Sequence, residues 1–161
     1  MPNIDSRFPQ GGAYGADYLQ QRIDREIALA KPMGIIVESA DGGRVVLRAP
    51  LAPNSNHKGT AFGGSLYALA VLAGWAWASR DLAARELDAD AVIQESNMRF
   101  LTPVHGELRA SVEIPAADAV EKFHRMLARA GRGRIQLRVD LYHGKILAAV
   151  FDGLFAAATR R

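Results

Sequence analysis

The sequence predicts an α+β protein in which a curved antiparallel sheet wraps around one long central helix. Three observations carry that reading. Residues 59–79 hold no charged side chain, so the helix they form is apolar on every side and has to be covered all round. The segments flanking it run in short alternations of apolar and polar residues, punctuated by glycine and proline, as antiparallel strands do. Only one helix of that length stands among those strands, and a sheet is then what covers it. A single sheet covers one side, so the other side calls for a second layer, most simply a second copy of the chain.

The elements follow in chain order. Residues 1–16, rich in glycine, proline and polar side chains, read as a flexible arm ahead of a single domain over 17–161. Asp17 to Ala30 reads as a helix, with Leu19, Ile23, Ile27 and Ala30 at helical spacing, Asp17 as N-cap and Pro32 as the stop. Gly34–Ser39 and Arg44–Ala49 form a hairpin about the Asp41-Gly42-Gly43 turn. Pro50 and Pro53 interrupt regular structure, a polar loop runs to Thr60, and the long helix extends from about Gly63 to about Glu86. Strands follow at Ala91–Leu101 and Glu107–Ile114, each stopped by a proline. In the first, strict alternation puts Val92, Met98 and Phe100 on one face and Ile93, Glu95, Asn97 and Arg99 on the other. Ala117–Ala130 is an amphipathic helix, with Val120, Phe123 and Leu127 inward. Arg134–Tyr142 and Ile146–Ala157 close the chain as a hairpin about His143-Gly144.

Composition narrows the function. A chain of 161 residues, 49% hydrophobic and 23% charged, is an ordinary globular domain. Length alone would let the uncharged stretch span a membrane, but its alanine and glycine content, with Thr60, Ser65 and Tyr67 inside it, argues for a buried helix and no membrane. The absence of cysteine excludes disulfides and thiolate metal sites, and the four histidines have no metal-ligand spacing, so no metal is expected. The N-terminus lacks the basic-then-apolar pattern of a secretion signal, which reads as cytoplasmic. The net charge of +3 gathers late in the chain, at Lys122, Arg125, Arg129, Arg132 and Arg134. These form either a solvated helix face or a landing patch for a phosphorylated carrier or an acidic carrier protein. No aromatic platform is interleaved with them, so nucleic acid is not expected.

The most informative stretch is Ala49-Pro50-Leu51-Ala52-Pro53-Asn54-Ser55-Asn56-His57-Lys58-Gly59-Thr60-Ala61-Phe62-Gly63-Gly64-Ser65. A polar loop runs into a Gly-Gly pair at the start of the apolar helix, which leaves backbone N–H donors beside polar side chains; such a terminus binds an anion, or an oxygen that becomes one during reaction. This motif resembles the hotdog-fold thioesterase superfamily, most closely the thioesterase domain that some bacterial proteins carry behind an acetyltransferase domain. Phe100-Leu-Thr-Pro103 followed by Gly106 resembles a common strand ending of that fold. The resemblance implies a homodimer or higher homo-oligomer, its sheets continuous across the dimer, with active sites at the interface. It also implies acyl thioesters of coenzyme A or acyl carrier protein as substrates, with no further cofactor. Many members have Asn, a short gap, then His-Gly-Gly, and an acid further along the helix. Asn56, Gly63 and Gly64 match; the histidine position is Phe62, and the acid position falls near Val71, with no carboxylate before Asp81.

On these grounds Gly64 is expected to polarise the thioester carbonyl through its N–H, and Asn56 to touch the carbonyl or the attacking water. Glu95, as the best remaining carboxylate, is expected to act as general base from the paired subunit, with an ion pair to Arg99 as the competing role. Asn54, His57, Lys58, Thr60, Phe62, Gly63, Ser65, Tyr67 and Asn97 are the expected substrate-binding residues. A hydratase or dehydratase, or an acyl-thioester-binding module without catalysis, are the competing functions on the same fold.

Overall fold

A computed structural model describes residues 12–160. The expected arm lies outside the described residues over 1–11; a 3-10 turn at Gly12–Tyr14 leads directly into helix α1, Ala16–Glu26. Asp17 lies in the first turn of α1, beside the positive end of the helix dipole, and Gly15 takes the N-cap position. The helix stops at Glu26, earlier than expected, and a single turn, α2 (Ala30–Met33), follows. Pro32 sits inside that turn, where its missing N–H costs nothing because a first turn has no acceptors for it. Gly34, at φ 72°, closes α2 in the left-handed conformation.

Strands β1 (Ile36–Asp41) and β2 (Arg44–Ala49) form the expected hairpin. Helix α3 runs Gly63–Ala84, followed by β3 (Ala89–Phe100), β4 (Leu108–Val112), α4 (Ala117–Ala130), β5 (Arg132–His143) and β6 (Ile146–Thr159). All six strands join one sheet in the order β1-β2-β4-β5-β6-β3, with every pairing antiparallel. The sheet curves around α3, the hotdog arrangement. Among the described residues, no helix is long and apolar enough to cross a membrane.

Packing between α3 and the sheet is close. Leu69, Ala70, Ala73 and Ala76 are fully buried on the helix, facing Leu137, Val139, Phe151 and Phe155 of the sheet. At Gly74 an added Cβ would come within 2.4 Å of the Phe155 ring, so only glycine lets helix and sheet approach this closely. Helix α4 takes the place β4 vacates: on β5, β4 reaches only Val139–Tyr142, and Phe123 and Met126 pack against Gly133 at the other end of that strand.

One expectation about β3 is overturned. Ile93 pairs with Phe155 and Glu95 with Leu154, so Gln94 is an extra residue in a β-bulge. A bulge shifts the alternation by one position. Val92 therefore faces outward with 60% exposure, while Ile93, Ser96 and Met98 face α3 alongside Phe155, Gly153 and Phe151. Glu95, Asn97 and Arg99 turn to the outer face and are exposed.

Candidate active site at the start of α3

The loop before α3 is shaped by its own side chains. Asn56 Oδ1 accepts from the N–H groups of Lys58 and Thr60, and Asn56 Nδ2 donates to Thr60 Oγ1 at 2.8 Å. That side chain folds the 56–60 turn. The structure thus shows Asn56 and Thr60 bonded to one another rather than turned outward. Asn54 is 98% buried, and its Nδ2 donates to the carbonyls of Met33 and Pro50, tying the loop to the end of α2. Asn54 Oδ1 is buried and has no partner among the described residues. The Phe62 N–H bonds to Asn54 O and the Ala61 N–H to Val104 O, which fixes where α3 begins. His57 and Lys58 are exposed at the tip of the loop.

Phe62 occupies the N-cap position with extended backbone (φ −63°, ψ 131°) and has no oxygen with which to cap the helix. Its carbonyl accepts from the N–H groups of Ser65 and Leu66. The N–H groups of Gly63 and Gly64 are left with no protein acceptor among the described residues, at the positive end of a 22-residue helix. An added Cβ on Gly64 would meet the Phe62 ring at 2.5 Å, while one on Gly63 would lie 3.5 Å from the Phe100 ring. Two aromatic rings therefore flank the pair of free donors.

One turn further on, Tyr67 packs edge-on against Phe151, and its hydroxyl lies 2.5 Å from Ser96 Oγ. Phe62, Tyr67, Phe100 and Leu101 are all exposed large hydrophobics of this end of the molecule. Along α3, Gly64, Tyr67, Ala68, Val71 and Trp75 form the stripe the sheet leaves incompletely covered, flanked by the free edge of β3. An exposed apolar cluster enclosing polar donors is the form a site for an acyl group takes.

The structure therefore gathers Phe62, Gly63, Gly64 and Tyr67 of the expected residues, with Ser65 in the same turn. Asn54, Asn56 and Thr60 serve as the scaffold of the approach. The expected face for Glu95 and Asn97 is corrected by the Gln94 bulge: both project from the side of the sheet opposite α3. No ion pair joins Glu95 to Arg99. Ser96 escaped sequence reasoning because its place depends on the bulge. His124 also escaped it; its Nε2 lies 2.8 Å from Asp81 Oδ2, across 43 residues of sequence and at the far end of α3. No group of side chains among the described residues could hold a metal ion.

Comparison with known proteins agrees with this fold. A structure from Chlorobaculum tepidum, described as a protein of unknown function, shares 31% identity over 90% of this chain and 94% of its own, with a TM-score of 0.85. A "putative thioesterase" from Shewanella oneidensis shares 29% identity over 89% of this chain and 96% of its own, with a TM-score of 0.80. A "Probable Thioesterase" from Pseudomonas aeruginosa, at 21% identity over 96% of this chain and all of its own, shares the fold with a TM-score of 0.75. Residues 16–159, from the start of α1 to the end of β6, match the family described as "Putative thioesterase (yiiD_Cterm)", and the chain belongs to that family.

Proposed function

We propose that the protein hydrolyses acyl thioesters carried on coenzyme A or on the phosphopantetheine arm of an acyl carrier protein, and that it does so at the start of α3. The observation that carries this reading is the pair of uncapped N–H groups at Gly63 and Gly64 beside an exposed apolar cluster. The thioester carbonyl accepts from both donors, and the negative charge that develops as water attacks is stabilised there. The acyl chain lies against Phe62, Phe100 and the Tyr67 ring. Water adds to the carbonyl carbon, the C–S bond breaks, and the proton that water loses ends on the departing thiol.

On the inner face of this chain the polar pair one turn along from Gly63 and Gly64 is Tyr67–Ser96, not a carboxylate. In this reading the two hydroxyls hold the attacking water and hand its proton on, in the role first expected of Glu95. The active unit is a homodimer. Among the described residues the outer edge of β3 has no partner strand, and the uncovered stripe of α3 runs beside it, so a second copy would extend the sheet and complete the wall of the site. A cysteine-free chain suits the reducing cytoplasm, where both carriers occur.

The test is thiol release from a panel of acyl-coenzyme A esters, short, long and aromatic, with Gly63→Pro as the decisive variant. Proline is tolerated at a first helical position, Phe62 before it is already extended, and a Cβ there makes only ordinary contact with Phe100. The variant should fold normally and lose about 10²-fold in kcat, the value of one oxyanion donor. Normal folding with unchanged kcat would sink the helix-start mechanism. The lack of a carboxylate beside Gly63 on the inner face also favours a second reading, an acyl-thioester-binding module. Thermal stabilisation by an acyl-coenzyme A with no thiol release from any ester would establish it.

A further inference from the structure

On the outer face of the sheet, the side away from α3, small residues cut a furrow between two strands of larger ones. Ala158 pairs with Asp90 on one side and Arg132 on the other; two residues along, Ala156 pairs with Val92 and Arg134. Directly paired antiparallel residues share a face, so β6 supplies an alanine floor between β3 and β5. Helix α4 walls the far side with Met126 and Arg129, and the hollow measures about 750 Å³. A second hollow of about 410 Å³ continues it along α4, sharing Met126 and Arg134 and adding Lys122. The result is a trough with an apolar floor and a cationic rim.

The charges of that rim are not used within the fold. Arg129, Arg132, Arg134 and Lys122 make no ion pair among the described residues, whereas Arg22, Arg48, Arg109, Arg138 and Arg160 all do. Asp90, the carboxylate lining the trough, is already bonded by Arg160 through two nitrogens, so it cannot neutralise the rim. The four cations are exposed and spread along the trough rather than converging on a point. A tight phosphate site draws its donors together and buries them. A spread, solvated row over an apolar floor suits an extended acidic surface.

From this we infer that the trough beside α4 docks an acidic helix of the protein that carries the acyl group, its apolar side on Ala156, Ala158, Val92 and Met126 and its carboxylates on the arginines. The inference rests on the thioesterase reading above and narrows it to a protein-borne thioester. The trough flanks the Asp90–Gln94 end of β3, whereas Gly63 flanks the Phe100 end, six to ten residues further on, or about 20–33 Å at ~3.3 Å each. The trough lies on the outer face of the sheet and Gly63 on the inner one, so the thioester reaches the helix start on the carrier's flexible arm, around the rim of the sheet.

The experiment compares the same acyl group on coenzyme A and on a bacterial acyl carrier protein, for the wild type and for the triple variant Arg129→Glu/Arg132→Glu/Arg134→Glu. Binding of the holo carrier protein is titrated alongside by calorimetry at low and high salt. All three arginines are exposed, so the variant should fold. KM for the carrier-protein substrate should rise at least about tenfold and carrier affinity should fall in step, with wild-type binding weakening as salt rises. The coenzyme A ester should change less than about twofold. An equal loss with both substrates would mean that the rim binds a phosphate common to them, and no change with either would mean that it binds nothing of this reaction; both overturn the inference. Should the protein hydrolyse no thioester at all, the titration still decides. Salt-sensitive carrier binding lost in the variant upholds the docking surface without the enzyme, and no wild-type binding refutes it.

Discussion

The two ends of α3 are built on opposite principles. At the Gly63 end the helix carries no charged side chain, the cap is a phenylalanine, two N–H groups lack acceptors among the described residues, and the surrounding aromatic rings are exposed. At the other end Arg80 and Asp81 are 98% and 97% buried and turned onto the protein. Arg80 Nε donates to Tyr14 O at 2.7 Å, Asp81 Oδ2 is hydrogen-bonded with His124, and Asp81 Oδ1, which has no hydrogen bond, lies 3.6 Å from Arg85 Nε as an ion pair. Burial lowers the pKa of the Arg80 guanidinium, and Asp41 and Asp81 oppose that by favouring its charge. One end leaves its N–H groups open at the surface; the other turns its charged side chains inward and ties the helix to the 3-10 turn before α1 and to α4. A helix apolar all round needs both: a fixed end to set its position, and an open one whose donors are then held in place at no further cost during reaction.

Substitutions along the helix should break this contrast in graded fashion. The largest loss is expected from Asp81→Ala. It strips the partner from His124 and removes a charge that supports buried Arg80, a change of about 3 kcal/mol, or roughly 10 °C in melting temperature. Calorimetric melting reads it, while thiol release per folded molecule should be unchanged. A lost turnover without lost stability would show that the sealed end is part of the chemistry.

In the middle of α3, Gly74→Ala gains helix propensity but drives a methyl into the buried Phe155 ring, and overpacking should win by about 2 kcal/mol. Denaturant unfolding should show the midpoint falling; a rise would mean the sheet can move away from the helix. At the open end, Tyr67→Phe should leave stability within about 0.5 kcal/mol because the hydroxyl pair is exposed, yet lower kcat about tenfold or more. Unchanged turnover would remove the Tyr67–Ser96 pair from the mechanism.

The smallest effect concerns pH. A hydrogen bond from Arg160 is the main cause holding the Asp90 carboxyl below its ordinary value. A group depressed in the folded state stabilises above its unfolded pKa of ~4 and loses that contribution as pH falls through the folded value. Arg160→Ala should therefore narrow the difference in melting temperature between pH 6 and pH 3, slightly, since the pair is exposed. A widening would reverse the assignment.

Much of this architecture is legible in the amino-acid sequence. The uncharged run of α3 and the alternation of β5 and β6 are periodic over a dozen residues or more, and such patterns survive error at their ends. The approach loop is legible by its spacing, but not the use of its side chains: whether Asn56 bonds to substrate or to Thr60 depends on a turn only five residues long. The bulge at Gln94 leaves no mark in composition, yet this one residue exchanges Glu95 for Ser96 on the face that matters. The His124–Asp81 pair was hidden for another reason, since nothing local in either helix points to a partner 43 residues away.

The bulge at Gln94 is not alone. The strand at the other border of the sheet, β1, has a register break too, between Val37 and Ser39, and the residue between them, Glu38, is clamped by Arg109 through two hydrogen bonds. Both rims of the sheet are thus kinked. A flat strand border is a template on which further chains can stack without end. A kink leaves only short straight runs for a neighbour to match, which disfavours such stacking. The same irregularity that turns a hydroxyl toward the helix thereby guards a border of the sheet against open-ended association.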